Sequence, residues 1–292
     1  MGRGFWILDN ITSLRQQQIT NLKDAPLLFK PDTTIRYQYP NVSSRGFPNY
    51  PRTSVIIDYF IPEGHKGGIQ LEILNTKKEA VSKMLSDSTQ LKSIVKEVED
   101  MQLSQMLRYV DNKLEEKPGL NRFEWDLRQK GAWVKDEKKR YKNGPMVAPG
   151  NYFVKLIVGE QTFEQAFEIV MDPRVEDQGI SAADIETHLA MQNKVIDLLS
   201  DARKLEADLE KEAKSLKDKK ANDKVSRLEK VNAVLNQLKS DKGAYPKPML
   251  VSQISYLLNV LGGADKLPGQ EETERFKELI LQFDKVKQDA KE

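Results

Sequence analysis

The ten residues Met1-Gly2-Arg3-Gly4-Phe5-Trp6-Ile7-Leu8-Asp9-Asn10 constrain the fold more than any other stretch of this chain. Phe5, Ile7 and Asp9 alternate with Trp6, Leu8 and Asn10, so large apolar groups fall on both faces of an extended segment. A strand that is apolar on both faces is one covered on both faces. Its neighbours ought to precede it, so the expectation is that the chain begins inside a larger protein. A strand left with unsatisfied edges invites association. Residues 1 to about 45 are therefore expected to pack poorly here, and their deletion to leave the melting temperature almost unchanged.

Beyond this segment the chain has the material for roughly two domains of about 150 residues. Hydrophobic residues make up 39 %, too many for a wholly disordered chain. The net charge is only +2 although 31 % of residues are charged, a balance that argues against a dedicated nucleic-acid binder. No apolar run approaches the ~20 residues that span a bilayer. Asp9 interrupts the only N-terminal apolar stretch, so no cleavable signal is read there. With no cysteine, disulfides, zinc–thiolate sites and thiol catalysis are excluded.

Three regions differ in pattern. Residues 1–51 read as short strands and a linker: Thr33 to Tyr39 is β-like, and the Pro- and Ser-rich run from Tyr39 to Pro51 comes next. Residues 52–173 read as an antiparallel β-sandwich. Val55 to Phe60, Ile69 to Ile73, Tyr152 to Val158 and Phe163 to Ile169 are strand-like, and Phe123, Trp125 and Leu127 alternate with Arg122, Glu124, Asp126 and Arg128. Within this region Leu91, Ile94, Val95, Val98, Met106, Leu107, Val110 and Leu114 recur at helical spacing, which predicts a helical insertion over about 88–116.

Residues 174–292 read as an antiparallel four-helix bundle. Ser181 is placed as an N-cap, with Asp184 as the acid of a capping box. The apolar stripes are Ile185, Leu189, Ile196, Leu199, Leu205 and Leu209; then Val225, Leu228, Val231, Leu235 and Leu238; then Leu250, Ile254, Leu257 and Leu261; then Phe276, Leu279, Ile280, Phe283 and Val286. The stretch between Met171 and Ser181 is expected to be a cleavable joint. The fold class is thus α+β and multidomain.

Several motifs in this order resemble a known family. Gly2 to Asn10 with Leu14-Arg15-Gln16 looks like the closing blade of bacterial sortilin-like β-propeller proteins with BNR repeats, often labelled glycosyl hydrolases. Leu28-Phe29-Lys30-Pro31 resembles the stretch where that family leaves the propeller. Gly119-Leu120-Asn121-Arg122-Phe123-Glu124-Trp125-Asp126-Leu127-Arg128 with Ala148-Pro149-Gly150-Asn151-Tyr152 is similar to its Ig-like module. Tyr245 to Leu250, Gln253 to Leu257 and Ala264-Asp265 with Pro268-Gly269 look like its helical tail. The resemblance implies last propeller strands in 1–51, an Ig-like sandwich, a helical bundle, and a secreted, periplasmic or cell-surface parent. It also implies that any catalytic site lies in the missing propeller, so no catalytic, cofactor or metal residue is assigned to this chain.

The residues themselves offer few rivals. Glycoside hydrolysis usually needs two carboxyl groups about 5–10 Å apart. Asp9, Glu124 and Asp126 lie nearest to aromatic residues, and Glu124 and Asp126 read as neighbours on one strand face, roughly 7 Å apart. Arg122 and Arg128 share that face, so it reads as solvated surface. His65 and His188 lack companion ligands for a metal. Trp125 reads as core, Trp6 as packing between blade and neighbour, and Trp133 as the one exposed indole. Trp133 precedes Lys135, Lys138, Lys139 and Arg140, which suit phosphate or an anionic polysaccharide if they are not simply a solvated loop. The leading expectation is a non-catalytic structural region whose partner is the missing propeller. The alternatives are an accessory glycan-binding part of a glycosyl hydrolase, and an adaptor whose bundle holds a partner protein.

Overall fold

The structure is a computed structural model and describes residues 10–17, 25–38, 53–86, 114–136, 143–217, 222–240 and 246–291. The chain is α+β. It forms two compact units, residues 1–129 with 149–173, and residues 130–148 with 174–292.

The first unit contains two sheets. One is antiparallel, in the order β1 (Leu27–Leu28), β3 (Val55–Ile61), β6 (Gly119–Trp125). The other has the order β2 (Thr34–Arg36), β8 (Gln161–Met171), β7 (Gly150–Val158), β4 (Ile69–Leu74), β5 (Ala80–Leu85). Alternation of apolar residues, broken at Asp58 on β3 and at Leu74 on β4, drives both. Val55, Ile57, Tyr59 and Ile61 are fully buried on β3, as are Val154 and Leu156 on β7, while the residues between most of them face outward or are half-covered. The β7–β8 hairpin closes through Gly159-Glu160, and Gly159 takes the positive φ (60°) such a two-residue turn demands. Three rings join the sheets: Trp125 of β6 stands edge-on to Tyr152 of β7 and Phe167 of β8, with centroids 6.4 and 6.3 Å apart.

Two expectations change here. The sheets of this unit are not purely antiparallel, because β2 runs parallel to β8, Thr34 opposite Ile169 and Arg36 opposite Met171. Residues 27–36 are also not separate from the other strands of this unit. Leu28 and Phe29 are 1 % and 3 % exposed, and β1 pairs with β3 through Leu28 and Tyr59. Hydrophobic burial and sheet pairing hold this segment in the same unit as β3 to β8. Poor packing is therefore corrected for its described part; residues 1–9 and the linker 39–52 lie outside the described residues. So does most of the helical insertion, and Leu114, Glu115 and Glu116 at its end are not helical. Leu114 is fully buried, and its amide donates to the Leu85 carbonyl at 3.4 Å, so the chain returns at the point where β5 ends.

The second unit is built on four helices, α3 (Ala182–Lys217), α4 (Asn222–Leu238), α5 (Leu250–Leu261) and α6 (Gln270–Lys291); the short α1 (Thr12–Gln17) and α2 (Pro173–Glu176) precede them in the chain. Apolar residues at three- and four-residue spacing put one stripe of each helix into a common core. On α5 the buried residues are Leu250, Ile254, Leu257 and Leu261; on α6 they include Leu279, Phe283 and Val286. On α4, Val231, Val234 and Leu238 are buried, whereas Val225, in the first turn, is 56 % exposed and stands outside the stripe. Residues 130–148 belong to this unit, not to the first: Ala132 enters the helical core, and the Trp133 amide donates to Ser200 Oγ at 3.0 Å.

The start of α3 shows the full reciprocal cap. The Asp184 amide donates to Ser181 Oγ at 3.2 Å, and the Ser181 amide donates to Asp184 Oδ2 at 2.8 Å. The Ser181 amide and hydroxyl hold the Asp184 carboxyl below its ordinary range. A carboxyl whose pKa is depressed on folding adds stability above its unfolded pKa and loses it as pH falls through the folded one. This cap should therefore weaken only in acid, below about pH 4. Ser181→Ala is expected to cost about 0.5–2 kcal/mol at neutral pH, read as a lower denaturation midpoint of the helical unit. An unchanged midpoint would show that the cap contributes nothing.

Candidate functional site

The family-like stretch Gly119 to Arg128 is a strand that ends in a constrained turn. Gly119 takes φ 101°, which a side chain would oppose. The buried Asn121 folds back on the chain before it, donating from Nδ2 to the carbonyls of Lys117 (2.8 Å) and Gly119 (3.0 Å). The strand stops at Trp125 rather than continuing through Arg128. The Arg128 amide donates to Asp126 Oδ1 at 3.1 Å, and the Trp125 indole N–H donates to the Arg128 carbonyl at 3.0 Å. Between them Leu127 is left-handed (φ 60°), a conformation that costs a side-chain-bearing residue about 1–2 kcal/mol. Complete burial of its side chain offsets that cost.

This turn corrects the placing of the two carboxylates. Glu124 is exposed on the strand and Asp126 is in the turn, so they do not share a strand face. Asp126 is held by the Arg128 amide, and its carboxylate lies 4.0 Å from the Arg128 guanidinium. Trp125 is core, at 2 % exposure. Glu124→Gln and Asp126→Asn are each expected to change stability by less than about 0.5 kcal/mol, since the amide oxygen of Asn still closes the turn. A denaturant midpoint shift of several times that for either would assign it a structural role absent from this geometry. Asp9 and Trp6 lie outside the described residues.

Sequence reasoning missed an ion pair between a buried acid and a partly exposed base. Asp58 interrupts the apolar run Val55–Ile61 and is 4 % exposed. It stands directly opposite Arg122, which grips both its oxygens at 2.7 and 2.8 Å. The hydrogen bonds to Asp58 raise the Arg122 pKa further. A lone acid inside a β-branched run was the available signal, because a buried carboxylate requires a partner. Around this pair the N-terminal segment is tied down. Gln16 donates from Nε2 to the Lys30 carbonyl and accepts from the Lys30 amide, both at 2.9 Å. Arg122 also donates to the Asn10 carbonyl at 3.4 Å, and Thr12 and Asn10 both bond to Asp32.

The histidines are far apart in the sequence and fall in different units. His65 is half-buried in a turn and bonds to the Gly67 carbonyl at 3.0 Å. His188 is buried on α3, where its Nδ1 faces the Lys266 carbonyl; a carbonyl only accepts, so Nδ1 carries the hydrogen. Its Nε2 has no hydrogen-bond partner among the described residues. Nearby, Glu272 back-bonds the Gly269 amide at 2.6 Å at the start of α6 and meets Lys266 Nζ at 2.6 Å. Burial pushes the Glu272 carboxyl up, but Lys266 and the Gly269 amide outweigh it and hold it below its ordinary range. No group of three or more potential metal ligands exists among the described residues.

Trp133 is half-buried, not freely exposed. It lines a groove of about 580 Å³ along α3 with Lys135, Lys204, Asp208, Glu210, Lys211 and Lys214. Its backbone is fixed at the amide by Ser200 and at the carbonyl by Arg203, at 3.5 Å. Lys135 reaches Glu210 at 2.7 Å, and Lys239 contacts Glu210 as well. The two ammonium groups hold the Glu210 carboxyl below its ordinary range. Lys138, Lys139 and Arg140 lie outside the described residues.

No protein-family model matches the chain, and no curated protein matches it. No helix among the described residues is long and apolar enough to cross a membrane.

Proposed function

We propose that this chain is the non-catalytic C-terminal region of a larger, secreted sortilin-like β-propeller protein. In this reading the first unit is an Ig-like sandwich that carries the end of the propeller, and the helical unit is an antiparallel four-helix bundle. The observation that carries it is the lashing of residues 10–17 onto residues 29–32 and Arg122. The segment just after the blade-like motif is gripped by side chain–backbone bonds, one of them from the Arg122 guanidinium that pairs with the buried Asp58. Such a grip transmits a fixed orientation to whatever precedes it, which suits a module that closes and presents a propeller.

The reading is tested by reconstitution. A propeller of the sortilin-like class, ending just before a Gly-x-Gly-Phe-Trp strand, is expected to form a one-to-one complex with the whole chain in size-exclusion chromatography. A version lacking residues 1–9 should not bind. Absence of a complex with the whole chain sinks the proposal, as would release of sugar from aryl glycosides that Glu124→Gln or Asp126→Asn abolishes without unfolding.

An adaptor role has one observation in its favour. Tyr256 and Val260, one turn apart on α5, are 71 % and 38 % exposed. Tyr256→Asp should leave the melting temperature unchanged while abolishing capture of any helical partner.

A further inference from the structure

We infer that the groove along α3 is a binding site for an acidic oligosaccharide, a chain of sugars carrying carboxylates at intervals. The groove combines three kinds of surface. Trp133 supplies an aromatic wall, and aromatic side chains present the apolar area that sugar rings cover. Lys204, Lys211 and Lys214 recur on one face of α3 and are exposed, so their ammonium groups are spread over about 15 Å of helix. Asp208 lies between them on the same face, exposed. The side chains of Lys211, Lys214 and Asp208 make no ion pair or hydrogen bond among the described residues, whereas Lys204 lies 3.6 Å from Asp201.

The mixture selects the ligand class. A nucleic acid carries a phosphate on every residue and is held by runs of positive charge. Here Asp208 sits within the lysine row, and Glu210 stands beside it, already paired with Lys135 and Lys239. A carboxylate in the row repels a closely spaced polyanion but accepts hydrogen bonds from hydroxyl groups. Sparse negative charge, many hydroxyl donors and an apolar ring face together describe a uronic-acid oligomer. The site also has a rigid floor, since the backbone of Trp133 is pinned to Ser200 and Arg203 of the helix.

The site stands independently of the propeller reading, because every residue in it belongs to the helical unit. The test is isothermal titration of the whole chain with a hyaluronan oligosaccharide, in which glucuronate alternates with a neutral sugar, a neutral oligosaccharide of equal length, and a single-stranded oligodeoxynucleotide. The hyaluronan oligosaccharide is expected to bind at least about tenfold more tightly than either of the others, and more weakly at about 0.5 M salt, where screening shortens to a few ångströms. Lys211→Ala with Lys214→Ala should weaken it about tenfold with no change in melting temperature, because both side chains are exposed. Trp133→Phe should keep most of the affinity and Trp133→Ala should lose it. No binding of the hyaluronan oligosaccharide, equal binding of the neutral sugar, tighter binding of the oligonucleotide, or affinity untouched by the double lysine substitution would each overturn the assignment.

Discussion

Trp125→Ala is expected to unfold the first, two-sheet unit partly or wholly. Emptying a large buried aromatic site costs about 3–5 kcal/mol, and whole domains are stable by only about 5–15 kcal/mol. The indole is 2 % exposed and meets Tyr152 and Phe167, so its loss removes the ring contacts between the two sheets. It also removes the hydrogen bond to the Arg128 carbonyl, which helps hold the left-handed Leu127. Calorimetry of the whole chain should show one transition displaced and the transition of the helical unit in place. Trp125→Phe keeps a ring but not the N–H, and should cost less than the alanine change, with about 1 kcal/mol of its cost coming from the lost hydrogen bond. A Trp125→Ala protein melting within about a degree of the parent would mean that this ring is not the keystone between the sheets, since a loss of even 1 kcal/mol moves a domain of this size by several degrees.

What could be read in the sequence was local periodicity, and what could not was pairing across distance. Leu250, Ile254, Leu257 and Leu261 were legible because a 3.6-residue period fixes one helix face without reference to anything else. Ser181 and Asp184 were legible for the same reason, the cap being closed within four residues. Phe123 and Trp125 announced a buried strand face, yet their alternation ran on into Leu127, whose burial comes from a turn and not from the strand. The parallel pairing of β2 with β8 joins residues about 135 apart, and no local pattern encodes it. Residues 130–148 read as sandwich because they lie between its strands in the chain. They fold with the helices because Ala132 and the Trp133 backbone find partners on α3 and in its core. The groove beside Trp133 was half legible: the aromatic and the first lysine stood together, but the acceptor and donor row on α3 begins some seventy residues later.

Deletion of residues 1–38 is expected to destabilise the two-sheet unit by about 3 kcal/mol or more, from the apolar burial of Leu28 and Phe29 alone. The deletion also strips β1 from β3 and β2 from β8, leaving ladder groups on both exposed edges. It opens the surroundings of Asp58 and Arg122, which the segment from Asn10 to Asp32 adjoins. Aggregation should increase, the reverse of what a dangling N-terminal strand would give. Phe29→Ala separates packing from pairing: its amide still donates to the Asp58 carbonyl, so the register survives while the ring is lost. That substitution should cost about 3–5 kcal/mol in chemical denaturation. If the truncated chain melts with the parent and Phe29→Ala is silent, the first thirty-eight residues are an appendage, and the proposed grip on a preceding propeller has nothing to hold.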